Sequence, residues 1–137
     1  MTYYRDLSPY EYWKTVWPPN PPTGSEPCLN IGWLGKEEEF PKGDAPPGFI
    51  DRLIDRAGTP ARLTRGVHHC EFCDHKSPLR VTSNASHKTA HLGNGEIVVK
   101  STSGVTYMAP TLIVHYVTEH GYLPPKAFIE AVLKLSN

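Results

Sequence analysis

Two thiols and three imidazoles fall within twelve positions, Thr64-Arg-Gly-Val-His-His-Cys-Glu-Phe-Cys-Asp-His75, and this stretch restricts the fold more tightly than any other. Cys70 and Cys73 are spaced so that one tight backbone turn directs both sulfurs at a single point. Thiolates joined by imidazoles select zinc over harder cations, so Zn2+ is the expected ion. Such a pair is half of a four-coordinate site. The other half is expected from His115-Tyr-Val-Thr-Glu-His120 on a downstream apolar stretch, giving Cys70, Cys73, His115 and His120. Five residues apart, the two histidines sit about 140° apart around a regular helix, whereas a spacing of four would align them. The spacing is nevertheless within the range of finger sites. It works if the last helical turn loosens, which Gly121 permits. The alternative makes one histidine a satisfied core or cap residue, with His68, or else His69 or His75, completing the shell. His87 and His91 fall on an expected loop and read as solvated.

Three cysteines are too few, and an odd number, for a disulfide framework. Two ligands with one thiol left over suit a reduced, cytoplasmic setting, and Cys28 reads as a packed small hydrophobe. At 137 residues the chain is one domain, 1–137. Fourteen basic and fourteen acidic residues cancel, so no overall field recruits nucleic acid or an anionic membrane, and a protein partner is expected. A local basic group remains at Arg52, Arg56, Arg62 and Arg65, near Asp51 and Asp55. No apolar run approaches the ~20 residues of a membrane span, and the start lacks a signal peptide's apolar stretch.

Fourteen prolines gather at turns and helix starts among aromatic residues, which indicates a loop-rich globular protein. Ser8-Pro9-Tyr10-Glu11 is a capping pattern that predicts a short helix to Trp17, with Trp13 and Trp17 sealing the core. A Pro-rich surface loop over 18–28 follows. Leu29–Leu34 is expected as a strand with Leu29, Ile31 and Trp33 on one face, and Lys36–Glu39 as a solvated charge run. A helix over 44–58 takes Asp44 as cap, prolines 46 and 47 in its first turn, and a Phe49, Ile50, Leu53, Ile54, Ala57 stripe. Its Asp51, Arg52, Asp55, Arg56 face reads as solvated. Pro78–Ser83 is a candidate strand and 84–91 a loop. Gly93–Glu96 is a turn opening the hairpin 97–100/105–108. Ala109-Pro-Thr111 begins a helix with core residues Leu112, Ile113, Tyr116 and Val117, ended by Gly121. A last helix over 124–136 buries Phe128, Ile129, Val132 and Leu133.

Knuckle, hairpin, then a helix with the second ligand pair resembles a treble-clef zinc finger over residues 64–121. The chain also resembles, over nearly its full length, a family of small uncharacterised bacterial proteins. The matching motifs are Tyr4–Tyr10, Gly32–Gly43, Arg65–Cys73, Gly93–Ile97 and Ala109–Pro125. The resemblance implies fold and site, and no activity. The expected class is therefore α+β: a small antiparallel sheet with three to four helices around a treble-clef-like zinc site.

Four protein ligands close a zinc ion and favour a structural role. The deaminase pattern lacks its upstream His-x-Glu, and His-Glu-x-x-His is absent. The leading expectation is a non-catalytic zinc-binding interaction module. A second is a ββα-type nuclease, which shares the treble-clef frame and would use His68 or His69 to activate water; near-zero charge weighs against it. A third is an immunity or accessory protein that blocks a protein partner. Asn94, Glu96, Tyr107 and Tyr122 are candidates for a polar cleft, against the plainer alternative of a turn asparagine and a surface glutamate.

Overall fold

Alternating side chains over Ile97–Val99 and Tyr107–Ala109 give a hairpin with one strongly apolar face, and the rest of the molecule assembles on it. The computed structural model describes residues 3–9, 28–59, 62–63, 70–73, 79–93 and 95–134. In chain order the elements are β1 (Cys28–Asn30), α1 (Phe49–Gly58), β2 (Arg62–Leu63), β3 (Leu79–Thr82), β4 (Thr89–Leu92), β5 (Gly95–Lys100), β6 (Thr106–Pro110), α2 (Ile113–His120) and α3 (Lys126–Leu133). The class is α+β, as expected. The main sheet has the order β1-β6-β5-β2, and β3 and β4 form a separate two-stranded sheet. β5 pairs antiparallel with β6 from Glu96↔Pro110 to Lys100↔Thr106. β1 lies parallel to β6, Cys28 opposite Thr106, so the sheet is mixed and not purely antiparallel.

Ile97, Val99, Tyr107 and Ala109 join the main core with the apolar faces of all three helices, while Met108 packs with Trp33 in a second cluster. α1 contacts β4, β5, α2 and α3. Its predicted stripe is buried at Phe49, Leu53, Ile54 and Ala57. Phe128 of α3 meets Phe49 edge-on at 6.2 Å and Tyr107 at 5.8 Å. Full burial of each such side chain stabilises the fold by about 1.5–3 kcal/mol.

Several local expectations are corrected. The strand predicted over 29–34 stops at Asn30, because Gly32 turns to φ 75. A Cβ on Gly32 would lie 2.7 Å from Ile113 Cδ1, so the chain passes too close to α2 for any other residue. Ile31 enters the main core while Trp33 donates its indole N–H to the Met108 carbonyl at 3.0 Å, so the two do not share a face. The helix predicted from Asp44 starts only at Phe49, after Gly48 at φ 85. Ala45 and Pro46 each precede a proline and are kept out of the helical region.

Residues 84–91 are not all loop, since Thr89–Leu92 pairs with Leu79–Thr82. The face with Asp51 and Asp55 is not simply solvated. Asp51 accepts from the Ser83 hydroxyl (3.0 Å) and the Asn84 amide (2.8 Å), and Asp55 accepts from the Ser86 hydroxyl, which fastens the β3–β4 turn to α1. Finally, Ala109 and Pro110 belong to β6, and α2 begins at Ile113. Pairing with β5 holds the strand to its end, and the Thr111 amide still donates to the Gly95 carbonyl.

The last helix starts at Lys126, past the proline pair, and buries Phe128, Ile129, Ala131 and Val132. The expected helix to Trp17 beyond Pro9, the Pro-rich loop before Cys28, and residues 135–136 lie outside the described residues.

Candidate metal centre

The Cys70–Cys73 turn is positioned by its two middle residues. The Phe72 amide donates to Cys70 Sγ at 3.4 Å, the local bond that curls a knuckle around its first sulfur. The Phe72 ring inserts edge-on between Phe40 (5.3 Å) and Tyr116 (5.8 Å) and lies 5.6 Å from the His120 ring. Glu71 accepts the Lys36 backbone N–H at 3.1 Å, so the exposed Lys36–Glu39 run is tied through its backbone to the knuckle.

The opposite side of the site is the end of α2. The Gly121 amide, in left-handed conformation at φ 69, donates to the Tyr116 carbonyl. That bond spans five residues where a regular α-helix spans four, so the last turn is π-like and wider. Widening rotates residue i+5 back over residue i. His115 and His120 therefore converge, with Nε2 atoms 3.2 Å apart, despite a spacing that a regular helix would splay. The Tyr122 amide also reaches the Tyr116 carbonyl, at 3.1 Å.

Cys70 Sγ lies 3.3 Å from His120 Nε2, and Cys73 Sγ lies 3.3 Å from His115 Nε2. One donor atom from each of the four residues lies within 4.8 Å of all the others, and the group could hold a metal ion. Cys70 and His115 are buried and Cys73 and His120 half-buried, so the site sits at the edge of the core. Burial, with the neighbouring Cys73, pushes the Cys70 thiol up to about 11. Such a thiol gives up its proton to a cation and not to water. Burial and the nearby sulfurs also push the Tyr116 hydroxyl well above the ordinary tyrosine range, which keeps it neutral beside the group.

His68, His69 and His75 lie outside the described residues, as does Asn94. His87 and His91 are exposed, His91 on β4. Cys28 is half-buried against the Trp33–Met108 cluster. Among the described polar-cleft candidates, Glu96 and Tyr107 are not brought together. Glu96 and Tyr107 belong to opposite sheet faces by strand alternation, since Tyr107 pairs with Val99 while Glu96 shares its face with Val98 and Lys100. Glu96 is not at the surface either, being 1% exposed. Tyr122 is fully buried and donates its hydroxyl to Asp6 Oδ2 at 2.7 Å. Sequence reasoning overlooked Phe72 and Asp6. An aromatic inside Cys-x-x-Cys was an available signal for the first, and a partner 116 residues away gave none for the second.

Among the described residues no helix is long and apolar enough to cross a membrane. Neither a curated protein nor a solved structure matches the chain. The family model described as Domain of unknown function (DUF7919) matches residues 2–133, a span that contains both the Cys-x-x-Cys turn and the histidine pair, and the protein belongs to that family.

Proposed function

We propose that the protein is a non-catalytic zinc-binding module of the cytoplasm, one domain whose ion is structural and whose surface engages a protein partner. The observation that carries this is the spacing of the donor atoms. A tetrahedral zinc with Zn–S of ~2.3 Å and Zn–N of ~2.0 Å separates its ligands by roughly 3.3–3.8 Å along the edges. The sulfur–nitrogen distances of 3.3 Å and the nitrogen–nitrogen distance of 3.2 Å approach those edges. Cys70, Cys73, His115 and His120 would close the shell. The ion would then tie the knuckle to α2 and leave no position for a reacting water.

The order of knuckle, β5–β6 hairpin and α2 supports a treble-clef reading, with the β3–β4 hairpin as an additional piece between knuckle and sheet. An immunity or accessory protein would be one form of such a module, differing only in the partner. The test is metal analysis of purified protein followed by chelation. One zinc per chain, with a large loss of thermal stability on chelation, is expected. A stable metal-free protein that gains nuclease activity with Mg²⁺ or Mn²⁺ would replace this reading with the hydrolase.

A further inference from the structure

The β3–β4 hairpin stands apart from the main sheet as a two-stranded piece, a size that is marginal by itself in water. It is nevertheless held in place. Ala90 and Leu92 of β4 are buried in the core and Val81 packs against it, while Asp51 and Asp55 of α1 fasten the turn through Ser83, Asn84 and Ser86. α1 packs on β4, and a Cβ on Gly58 would lie 3.4 Å from the Thr89 carbonyl oxygen. β4 is therefore the inner strand and β3 the outer one.

The ladder decides which groups β3 turns outward. The Ser83 amide donates to the Lys88 carbonyl at 2.9 Å, in register with Arg80↔His91 and Thr82↔Thr89. Bonded and non-bonded pairs alternate along an antiparallel ladder, so the N–H and C=O groups of Arg80 and Thr82 point away from β4. Among the described residues no third strand takes them up. The side chains of Arg80 and Thr82, with Thr89 and His91 beside them, are also the exposed face of the hairpin. Between Asp74 and Glu96 the sequence has Lys76, Arg80 and Lys88 and no acid, and among the described residues no carboxylate is paired with Arg80. The Thr82 and Thr89 hydroxyls lie 3.0 Å apart, a bond that uses one of their two protons and leaves the other to donate.

We propose that the outer edge of β3 is the partner-binding surface, and that it takes an extended acidic segment of the partner protein as a third strand. The assignment rests on the binding-module reading and does not depend on the ion. The segment's N–H and C=O groups pair with those of Arg80 and Thr82. Carboxylates at alternate positions then fall on the exposed face, one against the Arg80 guanidinium and one at the Thr82 hydroxyl. A second copy of this chain would bring two Arg80 guanidinium groups onto one short face, which like charge opposes. A nucleic acid gains from roughly six to ten phosphate contacts, more than a strand of four residues supplies.

The experiment is a titration of full-length protein, its metal content measured in the same sample, followed by backbone NMR shifts and amide hydrogen exchange. The probes are an N-acetylated Thr-Glu-Val-Glu-Thr amide, its glutamine counterpart, the glutamate peptide N-methylated at both glutamates, and a short DNA duplex. The glutamate peptide is expected to give saturable shifts over residues 79–82 and to slow exchange of the Arg80 and Thr82 amides. The glutamine peptide, and Arg80→Gln with the glutamate peptide, should each bind about tenfold more weakly. The N-methylated peptide, which lacks the ladder donors, should not bind. Equal binding of the glutamine or N-methylated peptide, or an unchanged affinity in Arg80→Gln, overturns the proposal. Binding of the duplex in place of the peptide gives the surface to nucleic acid and overturns the partner assignment. Self-association of Arg80→Gln, with no peptide response from wild type, makes Arg80 a guard against strand pairing and overturns it too. Loss of the metal reading would appear separately, as an absent ion in a sample that still binds the peptide.

Discussion

The apolar residues between α1 and α3 are buried and the knuckle–α2 corner is partly so, and different forces hold the two. Around Phe49, Leu53, Phe128 and Val132 the neighbours are apolar, and burial alone accounts for cohesion. At the corner, two thiols and two imidazoles replace carbon at the point where the knuckle meets α2. Four polar groups facing one another in a partly desolvated site gain little without a cation, and become a strong four-armed link with one. The first region should therefore respond to volume and ignore chelators. The second should respond to chelators, oxidants and acid.

The sharpest way to break that contrast is His115→Ala. If the proposed shell holds zinc, removing this buried imidazole should abolish stoichiometric zinc and cost about 4 kcal/mol, the linkage expected when free ion stands near a thousand times the dissociation constant. Urea melts with and without chelator should then coincide. Leu53→Ala should cost about 3 kcal/mol through lost burial and a residual cavity, while metal content stays at one and chelation still destabilises. If Leu53→Ala lost the ion as readily as His115→Ala, the two regions would not be separable.

Gly121→Ala comes next, at about 1–2 kcal/mol. A Cβ there meets no atom within 4 Å, so the cost is the backbone's, at φ 69. Because that residue closes the widened turn, the variant should also surrender zinc to a competing chelator faster than wild type.

The smallest effect is that of Tyr122→Phe, about 1 kcal/mol at neutral pH for the lost bond to Asp6. Burial, then the Asp6 charge and hydrogen bond, raise the Tyr122 hydroxyl above its ordinary 10.0. The folded state thus holds this proton more firmly than the unfolded chain does. The resulting stability is fully present below pH 10 and is lost as pH rises beyond it. Wild-type urea midpoints should fall faster above pH 10 than those of Tyr122→Phe, and parallel curves would remove Tyr122 from the account.

Much of this was legible in the residues. Cys-x-x-Cys and a downstream histidine pair are local spacings, and the structure brings those four together. The α1 stripe and the β5–β6 hairpin carry strong periodicity of their own. β4 was hidden because only Ala90 and Leu92 alternate inward, among polar neighbours. The parallel β1–β6 pairing and the Asp6–Tyr122 bond join residues far apart in sequence, which no window of periodicity reaches. The convergence of His115 and His120 depended on one backbone bond five residues long. Sequence spacing raised that question, and the Gly121–Tyr116 bond answers it.

Zinc-edge X-ray absorption on protein purified without added metal tests the central claim most directly. Two sulfur scatterers at ~2.3 Å and two imidazole nitrogens at ~2.0 Å, with no oxygen, are the result expected of a closed Cys70, Cys73, His115, His120 shell. A shell containing a water oxygen, a single sulfur, or no bound zinc at all would contradict it.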